Sequence, residues 1–276
     1  MPEFDLHCHS TRSDGLLTPA ALVARAAQRG VKVLALTDHD EIGGLEEARE
    51  HAHRAAISCI NGVEISVSWN DQTLHVVGLH IDPANAELSA GLKQVRGGRR
   101  HRAERMAEQL EEAGISGSLD GARAYVTNPE LVGRAHFARY LVERGYARDV
   151  QSVFKKYLAS GKPGYVPHRW ASLEQAVNWI KVSGGVAILA HPGRYKLDGT
   201  QRVTLLQEFK DLGGAGVEVI SGSHMADQFA AWAQHAKRFG LLASAGSDFH
   251  GPGESRRDLG DLPDLPAGCT PVWKQF

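Results

Sequence analysis

The chain is poor in cysteine. Cys8, Cys59 and Cys269 stand far apart among 276 residues, and no two of them form a CxxC pair. A disulfide framework is therefore excluded, and a reducing compartment suits the sequence better. Charge of one sign is also missing. With 31 Lys and Arg against 32 Asp and Glu, the formal net charge is -1. No global field draws the protein to nucleic acid or to a membrane, so any phosphate binding must come from a local concentration of basic residues. No apolar run approaches the roughly 20 residues that cross a bilayer. The first residues, Met1-Pro2-Glu3-Phe4-Asp5, show no basic stretch followed by an apolar one. Neither secretion nor membrane insertion is expected, and the expected location is the cytoplasm. No repeat of fixed period and no low-complexity tract is visible.

The length allows one large α/β domain, or a smaller one carrying an insertion. Phe4 to Leu6 reads as a short strand. Thr18 then caps a helix that has Pro19 at its first position and ends at Gly30. Val31 to Leu36 is an apolar, β-branched run of the kind that is buried on both faces, and polar residues follow it at once: Thr37, Asp38, His39 and Asp40. The same order recurs at Val186 to Ala190 before His191, at Val217 to Ile220 before Ser221, and at Leu241 to Ala245 before Asp248. Helical stretches at Ser172 to Val182, Val203 to Leu212 and Ala226 to Phe239 separate these runs. Repeated βα units imply a parallel sheet or barrel. Ser66 to Val77, with Asn70 and Asp71 at its centre, reads as a hairpin and a local antiparallel feature. From Ala84 to Pro167 the strand signal gives way to helical sequence broken at Gly114, Gly133 and Gly145. Residues 1–83 and 168–276 are thus expected to form the barrel and 84–167 a helical insertion that caps the substrate. Gly251 to Pro266 reads as a loop.

Three signatures follow apolar strands: His7-Cys8-His9 with Asp14, Thr37-Asp38-His39, and Ser247-Asp248-Phe249-His250. Residues i and i+2 of an extended segment point to the same side, so each HxH or DxH pair presents two ligands to one place. Glu64, His75 and His191 occupy comparable positions. The expected metal ligands are His7, His9, Asp14, His39, Glu64, His75, His191, Asp248 and His250. Nine ligands exceed the three or four of one zinc site, so two or three divalent ions are implied, with Glu64 as the natural bridge. Imidazole and carboxylate ligation without thiolate suits manganese, iron or zinc alike, and spacing does not discriminate among them; manganese is the first expectation, with zinc or iron as alternatives. Cys8 points to the opposite face. His51 and His53 lie in the charged helix Leu45 to Ala56 and read as solvated. His80, His101, His136, His168, His224 and His235 are left as substrate contacts or plain structure.

These residues resemble the PHP superfamily of metal-dependent phosphoesterases, named for polymerases and histidinol phosphatases. The resemblance rests on FDLHCHSTRSDG at Phe4 to Gly15, LALTDHD at Leu34 to Asp40, NGVEIS at Asn61 to Ser66 with His75 following, LAHPGR, and SAGSDFHG. It implies a distorted (β/α)7 barrel with the ions at the C-terminal ends of the strands. It also implies three ligand sets: His7, His9, Glu64 and Asp248; Glu64, His75 and His191; Asp14, His39 and His250. Within the superfamily the helical insertion is similar to that of nucleoside 3′,5′-bisphosphate phosphatases and 5′ to 3′ exoribonucleases, through segments around Arg99, around Gly133-Arg134-Ala135-His136, and around Gly161 to Val166.

The implied activity is hydrolysis of the 3′-phosphate of a nucleoside 3′,5′-bisphosphate by a metal-bridging hydroxide. Clustered cations lower the pKa of bound water from about 15.7 toward about 7 and neutralise the phosphoryl oxygens. Glu64 and Asp248 are the expected catalytic carboxylates, with His224 as general acid from its place after a strand. Arg99, Arg102 and Arg105, spaced at i, i+3 and i+6, together with Arg134 and Arg12, are the expected contacts to a second phosphate. Tyr165 and Trp170 offer faces for a base, although ordinary packing explains both. The expected partner is a small nucleotide; short RNA is the alternative, and the absence of a long basic stripe favours the smaller one. Neither a membrane nor an obligate protein partner is expected. Histidinol phosphatase is weakened by the insertion. A non-catalytic interaction module would require eroded ligands or an adjoining polymerase chain.

Overall fold

A computed structural model describes residues 3–276; Met1 and Pro2, part of the leader reading above, lie outside the described residues. Seven strands follow one another around a single sheet in chain order. They are β1 (Phe4–Asp5), β2 (Val33–Leu36), β3 (Ser58–Trp69), β4 (Gln72–Leu79), β5 (Val186–Leu189), β6 (Gly216–Ser221) and β7 (Leu242–Gly246). The last returns to the first: Leu6 N–H donates to Ala245 O at 3.0 Å, Asp248 N–H to His7 O at 2.8 Å and His9 N–H to Phe249 O at 2.9 Å. The sheet is thereby nearly closed into an α/β barrel.

The hairpin forms where the sequence places it, with Asn70 and Asp71 at the turn between β3 and β4. β3 pairs in parallel with β2 through Ser58 to Asn61 and antiparallel with β4 through Gly62 to Trp69, and β4 pairs antiparallel with β5. Among the described residues the antiparallel pairing is confined to these neighbours and forms part of the barrel wall. The twelve-residue β3 runs past the end of β2, which is why Glu64 sits mid-strand and still faces the mouth, opposite His39.

Around the sheet lie α1 (Pro19–Gln28), α2 (Leu45–Arg54), then α3 (Ala86–Glu112), α4 (Ser118–Arg123), α5 (Arg134–Glu143), α6 (Val150–Val153), α7 (Leu173–Val182), α8 (Gly199–Asp211) and α9 (Ala226–Phe239). Thr18 Oγ1 caps α1 by accepting from Ala21 N–H at 3.2 Å. α8 begins at Gly199, earlier than its apolar pattern suggests, because Asp198 and Gln201 form a reciprocal cap. Leu6, Ala35, Ile60, Val77 and Ile188, from successive strands, meet in one inner cluster closed by Val272. The opposite faces of the strands pack against the helices in a larger cluster. This alternation is the period-two geometry of strands.

The helices between β4 and β5 build a separate core around Met106, Leu110, Phe137, Leu141, Val153 and Leu158. α3 serves both cores. Its first half sends Leu88, Leu92 and Val95 into the barrel's cluster, and its second half sends Ala103, Met106 and Leu110 into the other. The change of packing partner thus falls inside a continuous helix, not at Ala84. Gly91 makes the first half possible: a Cβ there would lie 2.4 Å from Trp179.

Candidate metal centre

The nine side chains expected from the sequence converge at the mouth of the barrel. β1 and its extension deliver His7 and His9 with their Nε2 atoms 3.1 Å apart. Cys8 turns the other way, its Sγ donating to Ala35 O at 3.2 Å. Glu64, fully buried, stands at the centre. Its Oε1 lies 2.9 Å from His75 Nδ1 and 2.8 Å from His191 Nε2. Its Oε2 lies 3.3 Å from Nε2 of both His7 and His9 and 2.9 Å from His39 Nδ1. One carboxylate therefore faces different histidines with each oxygen, as a bridging ligand must.

Four groups of ligand atoms have every atom within 4.8 Å of the others: His9, Asp14, His39 and His250; His7, His191 and Asp248; His7, His9 and Glu64; His39, Glu64 and His75. The partition differs in detail from the one the resemblance implies. His9 also faces Asp14 and His250, His191 also sides with Asp248, and His39 also closes on Glu64. Shared side chains make the three sets one cluster.

The donor atoms fit cations better than they fit each other. His9 Nδ1, Asp14 Oδ1, His39 Nδ1, Glu64 Oε2 and His191 Nδ1 are buried without a hydrogen-bond partner. His39 Nδ1 is in that state although Glu64 Oε2 is 2.9 Å away, because the pair lacks hydrogen-bond alignment. Buried polar atoms left unmatched are costly, roughly 1–3 kcal/mol each. Oxygen and imidazole donors aimed at common points suit divalent cations.

The carboxylates and histidines of the cluster shift one another's protonation. Burial opposes the charge on Glu64, Asp14 and Asp248, but the facing histidines overcome it and hold all three carboxyls well below their ordinary range. Burial, with His250 and His39 adding to it, lowers His9 to about 3, and burial lowers His75 to about 4. Burial opposes protonation of His7, His39 and His250 as well, but the carboxylates facing them prevail, raising the first two and lifting His250 to about 9; a bound cation would take the place of those protons, because ionised carboxylates and neutral imidazoles are the forms that bind metal.

Backbone strain marks the site. His191 has φ 28° and Asp248 φ 53°, conformations that cost of order 1–3 kcal/mol each. Glu218 on β6 holds the first of these, since its Oε2 accepts from His191 N–H at 2.5 Å while its Oε1 accepts from His7 Nδ1 at 2.7 Å. That second bond sets the tautomer in which His7 Nε2 faces Glu64. Sequence reasoning missed Glu218. The available signal was a carboxylate inside the apolar run Val217 to Ile220, which cannot be buried without a partner. Tyr195 was missed too; its hydroxyl donates to Ala190 O at 2.8 Å and accepts from His75 N–H at 2.9 Å. Asp38 is no ligand but shapes the first loop, accepting from Ser10 N–H at 2.7 Å and from Ser13 Oγ at 2.6 Å.

Several expectations need correction. His224 is no general acid: its Nε2 accepts from Gly193 N–H at 2.9 Å and its Nδ1 meets Val219 O at 3.3 Å, so both ring nitrogens are committed to main chain. Arg12 turns to Glu47, 3.0 Å away. Arg105 is exposed on α3 and does not join the other guanidinium groups. Trp170 offers no free face for a base, because Arg99 and Arg102 lie over its ring at 4.9 and 5.5 Å.

Arg99, Arg102 and Arg134 do come together. Arg99 donates to Asp40 Oδ2 and Ser66 Oγ, each at 2.7 Å. Arg102 is buried, donates to Val166 O at 3.0 Å, and is pulled down to about 9 by burial and by the charges of Arg134 and Arg99. Arg134 is lowered by burial, then by Arg194 and Arg99. Arg194, absent from the sequence-based set although it lies in LAHPGR, reaches from this cluster to Asp248 Oδ2 at 3.3 Å. Only Arg99 has a carboxylate to itself, so positive charge is left over beside the metal ligands. Among the described residues no helix is long and apolar enough to cross a membrane.

Known proteins fit this geometry. A 3′,5′-nucleoside bisphosphate phosphatase of Chromobacterium violaceum is 54% identical over 276 residues, covering 100% of this chain and 97% of its own. The 5′-3′ exoribonuclease Rnm of Escherichia coli is 44% identical over 273 residues, 98% of this chain and 92% of the relative. A solved Chromobacterium violaceum structure described as an amidohydrolase, with bound sulfate and no metal, superposes with a TM-score of 0.97 at 53% identity, covering 99% of this chain and 95% of that one. The model of the PHP domain matches residues 5–226, and with the seven-stranded barrel and its histidine and carboxylate mouth on the page, the chain belongs to the PHP domain family.

Proposed function

We propose that this protein is a metal-dependent phosphatase that removes the 3′-phosphate from a nucleoside 3′,5′-bisphosphate, giving a nucleoside 5′-monophosphate and phosphate. One observation carries the reading: the nine-ligand cluster lies beside a group of guanidiniums, Arg99, Arg102, Arg134 and Arg194, that carries more positive charge than its carboxylates neutralise. A substrate with two phosphate groups matches two adjacent sites for anionic oxygen. The relatives named above act on a nucleoside bisphosphate and on RNA, which supports a nucleotide.

Two or three divalent ions, manganese first, would be held by His7, His9, Asp14, His39, Glu64, His75, His191, Asp248 and His250. When bound, they supply Lewis-acid activation of water and charge neutralisation at the phosphoryl group. The remaining work belongs to the chain. Glu64 and Asp248 stay ionised and hold the histidines in place; Glu218 fixes the His7 ring. Arg134 and Arg102 bind and orient the second phosphate.

The test is phosphate release by manganese-loaded protein from 3′,5′-bisphosphates, 3′- and 5′-mononucleotides, histidinol phosphate and short 5′-phosphorylated RNA. The expected best substrate is the bisphosphate. Mononucleotides liberated from RNA at a higher kcat/KM would replace this reading by the exoribonuclease one, which the 44% identical relative supports. Loaded protein inactive on every member would favour a binding module, a reading to which nine assembled ligands are opposed.

A further inference from the structure

Arg139 lies on α5, in the helical unit, yet its guanidinium is bonded to the barrel. Nε donates to Glu254 Oε1 at 2.8 Å, Nη2 to Glu254 Oε2 at 2.7 Å, and Nη2 also to the main-chain oxygen of Asp14 at 2.6 Å. The side chain is 6% exposed. A two-pronged arginine to carboxylate pair fixes orientation as well as distance, and burial shields it from salt.

Both barrel partners belong to segments that carry one ligand group, His9, Asp14, His39 and His250. Asp14 is itself a member. Glu254 lies in the turn after β7, where Ser255 Oγ accepts from His250 N–H at 2.6 Å and from Gly251 N–H at 3.2 Å. Leu16 N–H donates to His250 O at 2.6 Å. The loop bearing Asp14 and the loop bearing His250 are therefore joined directly by main chain and again through Arg139.

The rest of the cluster is held chiefly by the sheet. His7 and Glu64 sit on or beside strands, fully buried, with Glu218 behind His7. Asp14 and His250 sit on loops and are 18% and 22% exposed. This ligand pair on two loops has only isolated main-chain bonds to set its spacing, and a buried side chain from outside adds a further tie.

We infer that Arg139 is a positioning residue for the cation held by Asp14, His39 and His250: it clamps the two loops from the helical unit and ties that ligand group to the cap. The inference rests on the metal-centre reading above. Because α5 begins at Arg134, one helix then serves both the second phosphate and the third ligand group.

The experiment compares wild type, Arg139→Gln, Glu254→Gln and the double variant as full chains loaded with manganese. Ions retained per chain are counted after desalting, and release is followed against a chelator. Each variant is expected to retain one ion fewer than wild type, or to hold that ion about 10- to 100-fold more weakly. The remaining ions should compete as in wild type, and the thermal midpoint of the metal-free protein should move little. The double variant should resemble either single one, because both remove the same contact. Arg139→Lys, which keeps the charge and loses the fork, should recover only part of the affinity. Variants that keep every ion at wild-type affinity overturn the clamp, as do variants in which all ions weaken alike while the metal-free midpoint falls. A wild type that binds no ion is a separate failure, that of the metal centre itself.

Discussion

The barrel mouth and the helical unit above it handle charge in opposite ways. At the mouth, each carboxylate is surrounded by histidines on strands or strand ends, and Glu64 meets five of them within 3.3 Å. In the helical unit, Arg102 has a carbonyl and an aromatic ring for company, and Arg134 lies over Phe154 at 5.5 Å. The mouth is arranged to hold cations, and the cap is left short of anions. On the function proposed above, the difference amounts to a division of labour: the hydrolytic centre would be built on the sheet, and choice of substrate would hang from a helix.

The largest expected effect comes from the centre of the mouth. Glu64→Ala should reduce both bound metal and phosphate release to background, measured by metal analysis and by phosphate assay on one preparation; an active, metal-free variant would contradict the division. Next is Glu218→Gln, which spares every ligand but disturbs the His7 tautomer and the His191 turn. Its metal affinity should fall about 10- to 100-fold, read by titration. The cap is probed by Arg134→Ala. Loss of charge-assisted bonds worth about 1.5–3 kcal/mol should lower kcat/KM about 10- to 100-fold for a 3′,5′-bisphosphate and far less for a 3′-monophosphate. Equal losses on both substrates would remove the cap's share in selection.

The smallest effect is a control remote from both regions. Asp258 is paired with Arg25 at 2.6 Å, and the hydrogen bonds from Arg25 hold its carboxyl below the ordinary range. A depressed acid stabilises the fold above the pKa of the unfolded chain, about 3.9, and loses that contribution as pH falls through the folded value. Asp258→Asn should therefore lower stability at pH 7 by less than about 1 kcal/mol, since the pair is partly exposed. The gap to wild type in urea midpoints should close on acidification below about pH 3.9. Metal content should not change.

Much of the mouth was legible because its ligands come in short-range pairs. His7 and His9, or Asp248 and His250, are two residues apart beside a strand, so local geometry alone puts them together. The cap was harder. Arg99, Arg102 and Arg105 share a spacing that suggests one face, yet only the first two reach Trp170, and Arg105 remains exposed. Arg12 sits within the first ligand loop but is captured by Glu47 from α2, a partner thirty-five residues on. His224 follows a strand as the ligands do, and main-chain atoms of Gly193 and Val219 occupy its ring. Sequence position gave no sign of these long-range captures.

The sequence by itself determined the element types, the repeated strand-then-polar order and the identity of the nine converging side chains, because those depend on spacing within a few residues. Only the tertiary structure decided that β4 turns the hairpin into barrel wall, that Glu218 stands behind His7, that Arg194 joins Arg134, and that Arg139 reaches from the cap to the Asp14 loop. Each of these joins residues far apart in the chain, and only burial of the intervening core fixes where such residues meet.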